Sequence, residues 1–545
     1  MFANFFTSVY EPTNFNPAMW QPPNTYADNA PCISDIYLPA DVVYKAITKL
    51  DLNKGPGPDG LPPVFIKRTA ESIVHPLHII FNKCLREGTF PDVWKRAHIT
   101  PVFKSGDKNN IENYRPISIL STLSKLFENL VHSEVYPLIH NLIIGEQHGF
   151  VKRRSTNTNL MLFSDFLFKS MDEQVQVDAV YTDFRKAFDK VDHKLLLDKI
   201  AYNGIRGNLL RWFMAYIHNR SQKIVINGFQ SSSIIVTSGV PQGSIMGPLL
   251  FILFVNDIKS CFINSRFLMY ADDIKIYKSC KCPQDCLLLQ EDLDRLSRYC
   301  SYNKLLLSLP KCNAITFTKN KNIIKFDYNL HGISLRKVDH IRDLGVEIDS
   351  KLHFNLHVDN IVNKAYRMFG FVMRSSNDFK RPSTFLILYK SLVRSQLEFA
   401  VPIWSPIFNV YIKRIEMVQK KYLRAMQYRC TKSKLPYTQL MTLYKLQSLE
   451  SRRSLLMVMM LHGLCNNKFD CPDITNNLCY IVPRTVMRRE ARVCQLFHTV
   501  RCRTHAGARA PLRRIVDTYN THFIDLDIFA LTHSKFKKLA IESLE

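Results

Sequence analysis

The stretch SRFLMYADDIKIYKS, residues 265–279, determines the predicted architecture. An apolar run from Phe267 to Met269 leads into the tetrad Tyr270–Asp273, and the alternating segment Ile274–Tyr277 follows. Two strand-like runs joined by so few residues predict a tight β-hairpin with two acids at its tip. Acids at such a tip are not core residues. Alone the tetrad is a weak signal, because it arises by chance in roughly one chain in twenty of this length.

A second acid stands at the end of a strand-like run in AVYTDFRKAFDKVDHK, residues 179–194. Ala179 to Tyr181 predict a short apolar strand, Asp183 follows at its edge, and Phe188 stands five residues later. Taken alone, the segment is equally compatible with Asp183 as the capping residue of a helix over RKAFDKV.

Acids at strand ends are the pattern that a magnesium site requires. Mg²⁺ prefers oxygen ligands and is usually held by a few carboxylates together with substrate phosphates. Transfer of a nucleotide to a hydroxyl group uses two such ions roughly 4 Å apart. Asp183, Asp272 and Asp273 are therefore candidate metal ligands.

The middle of the chain alternates strand-like runs with helical patterns, and the runs are DAVYTDF, KIVING, SIIVTSG, SRFLMY and IKIY. This alternation predicts an α+β core in which one sheet carries helices on one face. After about residue 355 apolar residues recur at helical spacing, as in Phe385, Leu388 and Leu392. We expect a separate helical bundle there.

The charge balance favours a nucleic-acid partner. Lys and Arg outnumber Asp and Glu by 73 to 47, which gives a formal net charge of +26. A membrane span is not expected, because the apolar run Ile245–Val255 contains Gly247 and Pro248 and is far shorter than roughly 20 residues. Between Arg484 and Arg514 nine Arg occur with a single acid, which suits phosphate backbones, although a solvated basic face is the alternative.

The cysteines and the amino terminus indicate an intracellular protein. The segment MFANFFTSVYEPTNFN lacks the charged start and apolar core of a signal peptide. The 14 Cys are scattered and are expected to be thiols. Cys280, Cys282 and Cys286 lie close together, but they lack a fourth ligand at finger-like spacing and are predicted to lie in a polar loop. Ordinary thiols are therefore favoured over a zinc site.

Three motifs in order resemble the reverse transcriptases of LINE-like, jockey-type non-LTR retrotransposons. They are DFRKAFDKVDH at 183–193, SGVPQGSIMGPLLFILFVNDI at 238–258 and YADD at 270–273. Upstream, residues 91–131 and GEQHGFVKRRST look like the fingers of that family, and DHIRDLGVEID downstream looks like its primer-grip hairpin. The resemblance runs from about residue 45 to 425.

The resemblance implies a right-hand polymerase fold, with fingers, a palm built on an antiparallel sheet and a helical thumb. On this basis residues 1–44 are a lead-in or linker remnant, 45–160 the fingers, 161–355 the palm and 356–480 the thumb. Residues 481–545 are then a basic, helical C-terminal region. The upstream endonuclease common in this family is not expected in this chain, nor is an RNase H domain.

The resemblance also implies roles for individual residues. Asp183, Asp272 and Asp273 would be catalytic and would bind two Mg²⁺ ions, with Mn²⁺ as a substitute. Lys104 and Arg115 would bind the triphosphate, and the Phe188 ring would lie beside the sugar and exclude a 2′ hydroxyl. Gln242 would lie near the incoming nucleotide, and Lys311 would donate a proton to the pyrophosphate. The residues expected along template and primer are Arg153, Arg154, Gly239, Gly243, Leu344 and Gly345.

The expected activity is RNA-directed DNA synthesis, with an RNA template, a DNA primer and deoxynucleoside triphosphates as partners. By family analogy, the protein would work as a ribonucleoprotein in the nucleus and cytoplasm. An intron maturase or a telomerase-like polymerase shares the same logic and is the alternative among enzymes. A catalytically inactive relic that only binds RNA is the alternative from another class.

Overall fold

The structure, a computed structural model, describes residues 1–12, 15, 17–23, 25, 30–481 and 495–544. Within these residues the strands, in chain order, are β1 (Arg96–Phe103), β2 (Tyr114–Leu120), β3 (Gln176–Asp183), β4 (Arg220–Ile226), β5 (Phe229–Gln230), β6 (Ile234–Val236), β7 (Arg266–Tyr270), β8 (Asp273–Cys280), β9 (Asn313–Phe317), β10 (Asn329–Leu330), β11 (Ile333–Ser334), β12 (Arg336–Lys337), β13 (His340–Asp343) and β14 (Val346–Asp349).

The helices up to the end of the predicted palm are α1 (Phe2–Thr7), α2 (Ala40–Thr48), α3 (Pro63–Arg68), α4 (Ala70–Glu87), α5 (Thr122–Ile139), α6 (Thr156–Asp172), α7 (His193–Tyr202), α8 (Gly207–Ile217), α9 (Met246–Val255) and α10 (Pro283–Tyr302). Those that follow are α11 (Asn355–Ser375), α12 (Pro382–Leu388), α13 (Ser395–Glu398), α14 (Val401–Trp404), α15 (Asn409–Thr431), α16 (Tyr437–Leu443), α17 (Leu449–Cys465), α18 (Pro472–Thr475), α19 (Pro511–His522) and α20 (His533–Glu542). A π-helical segment, Tyr389–Arg394, joins α12 to α13.

Two five-stranded sheets replace the single sheet expected from the sequence. The central sheet has the order β12-β9-β3-β8-β7, and the outer sheet has the order β2-β1-β4-β5 with β6 also paired to β4. The predicted strands DAVYTDF, SRFLMY and IKIY lie in the central sheet, whereas KIVING and SIIVTSG lie in the outer one. Alternating runs of this kind predict strands but do not predict which strands pair, because pairing depends on distant segments.

The central sheet is covered on both faces, so the expectation of helices on one face was wrong. Val180 of β3 belongs to one hydrophobic core with α4, α5, α7, α8 and α9, while Val177 and Ala179 of the same strand belong to a second core. Apolar residues of both parities along β3 are typical of a strand buried on both sides. The sheet therefore holds its strand ends in a fixed layer between two cores.

The helical half of the chain is not a separate bundle. Its core is continuous with α6 and with one face of the central sheet, because Phe163, Phe317, Trp404, Tyr422 and Ile515 belong to the same cluster. The predicted helical character after residue 355 is confirmed. Helices α19 and α20 pack against α17 within this shared core. In the part of the chain that the structure describes, no helix is both long enough and apolar enough to cross a bilayer.

Candidate active site

The two acidic strand ends meet side by side in the central sheet. Asp183, the last residue of β3, lies opposite Asp273, the first residue of β8, in an antiparallel register. Tyr270 closes the β7–β8 hairpin by pairing with Asp273, so Ala271 and Asp272 form its two-residue turn. The predicted hairpin with acids at its tip is confirmed. Residues 184–190 are irregular rather than helical, so the helix-cap interpretation of Asp183 was wrong.

A segment before α6 braces the acidic turn. The Gln147 side chain accepts from the Ala271 N–H at 2.9 Å and donates to the Ala271 carbonyl at 3.2 Å. Gly149 packs so closely that a Cβ there would lie 2.2 Å from the Ala271 nitrogen. Ala271 itself has a φ of +59°, a left-handed conformation that an alanine adopts only when its surroundings enforce it. Gln147 and Gly149 therefore hold a strained turn, a role that the sequence did not indicate.

The carboxylates at this edge repel one another. Burial, followed by the charges of Asp272, Asp183 and Asp343, raises the pKa of Asp273 to about 6. The Lys311 ammonium lies 2.5 Å from Asp183 Oδ2 and already places one positive charge on the cluster. Carboxylates that interact electrostatically, and whose repulsion a cation would relieve, are the type of ligand that divalent metal ions prefer.

Two predicted cations of the outer sheet face the same acids. Burial and the charge of Asp183 raise the pKa of Asp272, whereas Lys104 and Arg115 lower it. Lys104 follows β1, Arg115 lies in the paired strand β2, and both side chains are exposed. The antiparallel pairing of β1 with β2 thus brings both positive charges to the mouth of the acidic cluster.

A cavity of about 770 Å³ collects most of the residues proposed from the sequence. Its volume is in the range of small-molecule sites, which are typically 300–1,000 Å³. The predicted residues among those that line it are Lys104, Arg115, Asp183, Phe188, Gln242, Gly243, Asp272 and Lys311. We refer to it as the nucleotide-side cavity.

The floor of this cavity is held by contacts within the protein. Phe188 stacks on Phe251 with the ring centroids 4.5 Å apart. Gln242 Nε2 donates to Asp189 Oδ1 at 2.7 Å, and burial raises the pKa of that carboxyl to about 6. A Cβ at Gly239 would lie 2.6 Å from the Asp189 carbonyl oxygen. The close approach that this glycine permits is therefore an approach to the 188–189 backbone.

Gly243 makes a similar approach to the outer sheet. Its φ is +111°, and a Cβ there would lie 2.8 Å from the carbonyl oxygen of Ser118 in β2. Ser118 N–H in turn donates to the Gln242 carbonyl at 2.7 Å. The turn that carries Gln242 is thus fastened to the strand that carries Arg115.

A second cavity, of about 350 Å³, shares Asp183 and Lys311 with the first. It is lined by Asp183 and Asp273 together with Leu344 in the turn of the β13–β14 hairpin, and we call it the primer-side cavity. Leu344 and Gly345 have φ values of +44° and +93°, as a tight two-residue hairpin turn requires. The predicted hairpin is confirmed.

A buried ion pair joins that hairpin to the central sheet. Lys275 Nζ of β8 lies 2.5 Å from Asp343 Oδ2 of β13, and the Tyr181 hydroxyl donates to the same oxygen at 3.1 Å. Tyr181 stands two residues before Asp183 and Lys275 two residues after Asp273. Sequence reasoning missed these three residues, since no local pattern links positions 68 residues apart.

Arg154 was wrongly expected along the template. Its side chain is only 7% exposed and lies 2.9 Å from the Asp470 carboxylate. Nη1 also donates to the backbone carbonyls of Ile144 and Gln147 at 2.7 and 2.9 Å. The guanidinium of Arg154 thus donates its hydrogen bonds to groups of the protein, whereas the side chain of the neighbouring Arg153 is exposed. Arg154 fastens the segment that braces the acidic turn.

Part of the arginine-rich stretch is structural, although Arg501 and Arg503 are exposed. Arg514 donates to the carbonyls of Pro402, Ile403 and Ser405 at the end of α14, with Nη2 to Ile403 at 2.8 Å. Arg509 donates to the Leu352 carbonyl at 2.9 Å. These guanidiniums cap carbonyl groups instead of facing solvent, which corrects the expectation of a phosphate-binding surface for them. Arg484, Arg488, Arg489 and Arg492 lie outside the described residues.

The cysteine cluster does not lie in a polar loop, as had been expected. Cys280 ends β8 and Cys286 lies in α10, both buried, while Cys282 is exposed. Cys280 and Cys286 meet Asp178, with their ligand atoms within 4.8 Å of one another. Asp178 Oδ2 accepts from the Tyr328 hydroxyl at 2.7 Å, so hydrogen bonds already satisfy the buried carboxylate.

Comparison with known proteins agrees with this geometry. Residues 105–348 match the reverse transcriptase (RNA-dependent DNA polymerase) family. The chain is 27% identical over 406 residues to a probable RNA-directed DNA polymerase from transposon BS of Drosophila melanogaster, which covers 70% of this chain and 44% of that protein.

Two further similar proteins also come from mobile elements. An RNA-directed DNA polymerase from mobile element jockey of Drosophila melanogaster is 27% identical over 397 residues, covering 70% of this chain and 43% of the relative. A retrovirus-related Pol polyprotein from type-1 retrotransposable element R1 of Bradysia coprophila is 24% identical over 67% of this chain and 37% of the relative. The matches thus span less than half the length of each relative. The chain is thus similar over residues 105–348 to the reverse transcriptase family, and over about 70% of its length to RNA-directed DNA polymerases of mobile elements such as jockey.

Proposed function

We propose that the chain copies RNA into DNA by adding deoxynucleotides to the 3′ hydroxyl of a primer. The observation that carries this proposal is the nucleotide-side cavity, which brings Asp183 and Asp272 together with Lys104 and Arg115. A cavity lined by both acids and cations suits a triphosphate that is bound through both metal ions and direct charge contacts. An RNA template, a DNA primer and deoxynucleoside triphosphates are the substrates that this assignment implies.

Divalent ions would be held by Asp183 and Asp272, with Asp273 beside them. Bound Mg²⁺ supplies Lewis acidity, which activates the primer hydroxyl and neutralises charge on the leaving pyrophosphate. The contribution of the chain is to fix the three carboxylates through the β3–β8 register and through the Gln147 brace on the turn. Because these ligands are already in place, no free energy is needed to reorganise them during the reaction.

The remaining side chains would position the nucleotide. Lys104 offers a point charge and Arg115 a bidentate fork to the phosphate oxygens. Phe188, held against Phe251, would place a rigid ring beside the sugar and exclude a 2′ hydroxyl. Lys311 lies at the edge of both cavities and, once displaced from Asp183, could donate a proton to the pyrophosphate.

The β13–β14 hairpin would contact the primer strand. Its turn lines the primer-side cavity beside Asp273, and the Lys275–Asp343 pair ties it to the strands that carry the acids. A primer terminus lying on this hairpin would meet the incoming nucleotide at Asp183, which lines both cavities. That placement suits attack by the hydroxyl group on the α-phosphate.

The test is primer extension on poly(rA)·oligo(dT) with dTTP and Mg²⁺. We expect the wild type to extend the primer, and Asp272→Asn to lose activity by at least ~1,000-fold because a metal ligand that stabilises the transition state is gone. The matched control is Asp378→Asn, the same change at an exposed position between α11 and α12, which should retain activity.

Binding of the same RNA is measured in parallel. Because basic side chains supply most of the affinity for RNA, Asp272→Asn should bind it as the wild type does. Extension by Asp272→Asn at the wild-type rate would refute the assignment of the site. A wild type that binds RNA but never extends a primer would instead favour the inactive RNA-binding relic.

A further inference from the structure

The amino-terminal segment Phe2–Glu11, which we call the N-terminal strap, is packed into the polymerase domain. Phe6 is only 2% exposed and shares a hydrophobic core with residues of the outer sheet, namely Ala97, Ile99, Leu120, Ile224 and Ile234. The Phe2 ring meets the edge of Tyr114 in β2 at a centroid distance of 5.1 Å. The sequence indicated only a lead-in here, and the structure makes it a structural part of the site.

Polar contacts fasten the far end of the strap to the loop that carries Phe188. The Glu11 carboxylate lies 2.5 Å from Lys190 Nζ. The Glu11 N–H donates to Ser238 Oγ at 3.0 Å, and its carbonyl accepts from Thr237 Oγ1 at 2.8 Å. The strap therefore bridges the outer sheet and the 184–190 loop, which border the nucleotide-side cavity.

Phe5 is directed to the cavity by this arrangement. Phe5, Phe6 and Val9 all line it, together with Asp183 and Asp272. The Lys186 ammonium lies 4.1 Å from the centroid of the Phe5 ring, a close cation–π contact. Lys186 lines the same cavity and stands between Asp183 and Phe188 on the loop.

The charge of Lys186 is free to take a ligand. Among the residues that the structure describes, no carboxylate forms an ion pair with it, and the neighbouring acids Asp189 and Glu112 act on it only at longer range. Its backbone has a φ of +55°, so the loop is held in a left-handed conformation where Lys186 stands. An ammonium group held by an aromatic face, inside a cavity that contains other cations and a metal-binding cluster, suits a polyanionic ligand.

We propose that Lys186, positioned by Phe5 of the N-terminal strap, is a further cation that binds the triphosphate of the incoming nucleotide. This rests on the proposed polymerase function and adds one residue and one segment to its nucleotide site. Lys104 and Arg115 approach from the outer sheet, whereas Lys186 approaches from the loop after β3. The strap is then a wall of the nucleotide-side cavity that keeps the Lys186 ammonium directed inward.

The experiment measures KM for dTTP and kcat on saturating poly(rA)·oligo(dT) for three variants of the full chain. Lys186→Met should raise KM by ~10-fold, the loss expected for one charge-assisted contact, with kcat changed less than ~2-fold. Phe5→Leu keeps an apolar side chain but removes the ring, and should raise KM by ~3-fold. The double variant should be no worse than Lys186→Met, since Phe5 acts through Lys186.

The matched control is Phe229→Leu, the same substitution at a ring of β5 that is 83% exposed and lines neither cavity. It should leave KM for dTTP unchanged. Equal KM values for wild type, Phe5→Leu and Lys186→Met would overturn the inference while leaving the polymerase assignment intact. The polymerase assignment is tested separately, because primer extension by Asp272→Asn at the wild-type rate would refute it.

Direct binding of dTTP keeps the inference testable if Phe5→Leu folds poorly or turnover is low. Lys186 is only half-buried and belongs to no hydrophobic core, so Lys186→Met should melt at the wild-type temperature. In an equilibrium titration with dTTP and Mg²⁺, this variant should show a dissociation constant ~10-fold higher than the wild type. An unchanged dissociation constant refutes the role of Lys186.

Discussion

Two lysine–aspartate pairs flank the acidic strand ends, and they share a distance but not an environment. Nζ lies 2.5 Å from a carboxylate oxygen in both Lys275–Asp343 and Lys311–Asp183. The side chains of the first pair are 4% and 5% exposed, whereas those of the second are 58% and 22% exposed. Geometry alone would assign them equal importance.

The difference in burial implies different roles. A buried pair that loses one partner leaves a charge that water cannot reach, so Lys275–Asp343 is a fixed joint between the hairpin and the central sheet. An exposed pair exchanges its partner for water or another ion at little free-energy difference. Lys311 therefore neutralises the charge of Asp183 in a way that a bound metal ion could replace. The buried pair belongs to the scaffold of the site, and the exposed pair belongs to the part that would bind the metal.

The largest expected effect comes from breaking the buried joint. Lys275→Met leaves Asp343 buried and should lower the free energy of unfolding by about 3–5 kcal/mol. The same substitution at Lys311 should lower it by less than about 1 kcal/mol, because the pair is exposed. Urea denaturation followed by circular dichroism compares the two variants directly.

A double variant sharpens this result. Lys275→Met combined with Asp343→Leu removes both charges and should recover most of the lost stability, since an apolar contact of similar volume replaces the pair. Equal midpoints for Lys275→Met and Lys311→Met would mean that burial does not distinguish the pairs.

An intermediate effect is expected at Asp189, a buried carboxylate without an ion-pair partner among the described residues. Burial raises the pKa of Asp189 to about 6, so the folded state favours the protonated acid more than the unfolded chain does. Ionisation of Asp189 therefore lowers the free energy of unfolding, and this loss grows as the pH rises from about 4 through 6. Asp189→Asn can still accept the Gln242 hydrogen bond, and should be roughly 2–3 kcal/mol more stable than wild type at pH 7.

Unfolding curves at several pH values check this sign. The difference between Asp189→Asn and the wild type should shrink as the pH falls and approach zero below about pH 3, where the folded and the unfolded wild type are both protonated. A difference that stays constant between pH 4 and 7 would show that Asp189 contributes through packing and not through its charge.

Local pattern was sufficient to predict the acidic edge of the site. Apolar runs predicted β3 and β7, alternation with a period of two predicted β8, and the polar residues between two runs predicted Asp272 in a turn. The motif order then selected Lys104, Arg115 and Gln242, which the fold brings to one cavity. These features depend on residues close in sequence or on a whole motif.

Features that depend on distant partners could not be predicted. The hydroxyl of Tyr328, 150 residues after Asp178, satisfies that carboxylate and lets β3 be buried on both faces. Arg154 reads as a template contact until Asp470, 316 residues away, is found to hold it. A sequence shows that a charge is present but not which distant group it meets, so the role predicted for Arg154 was wrong.

The smallest expected effect concerns the exposed pair. If the Lys311 ammonium only occupies the position of a metal ion at Asp183, it competes with the metal for that carboxylate. Lys311→Met should then lower the dissociation constant for Mn²⁺ by up to ~5-fold, the limit for a surface pair. Binding is measured in the absence of nucleotide, so that any role of Lys311 toward pyrophosphate does not contribute. Lys304→Met is the matched control, because its partner Asp192 lies outside both cavities. Weaker Mn²⁺ binding by Lys311→Met would mean that the ammonium organises Asp183 for the metal, and the exposed pair would then be a fixed part of the site like the buried one.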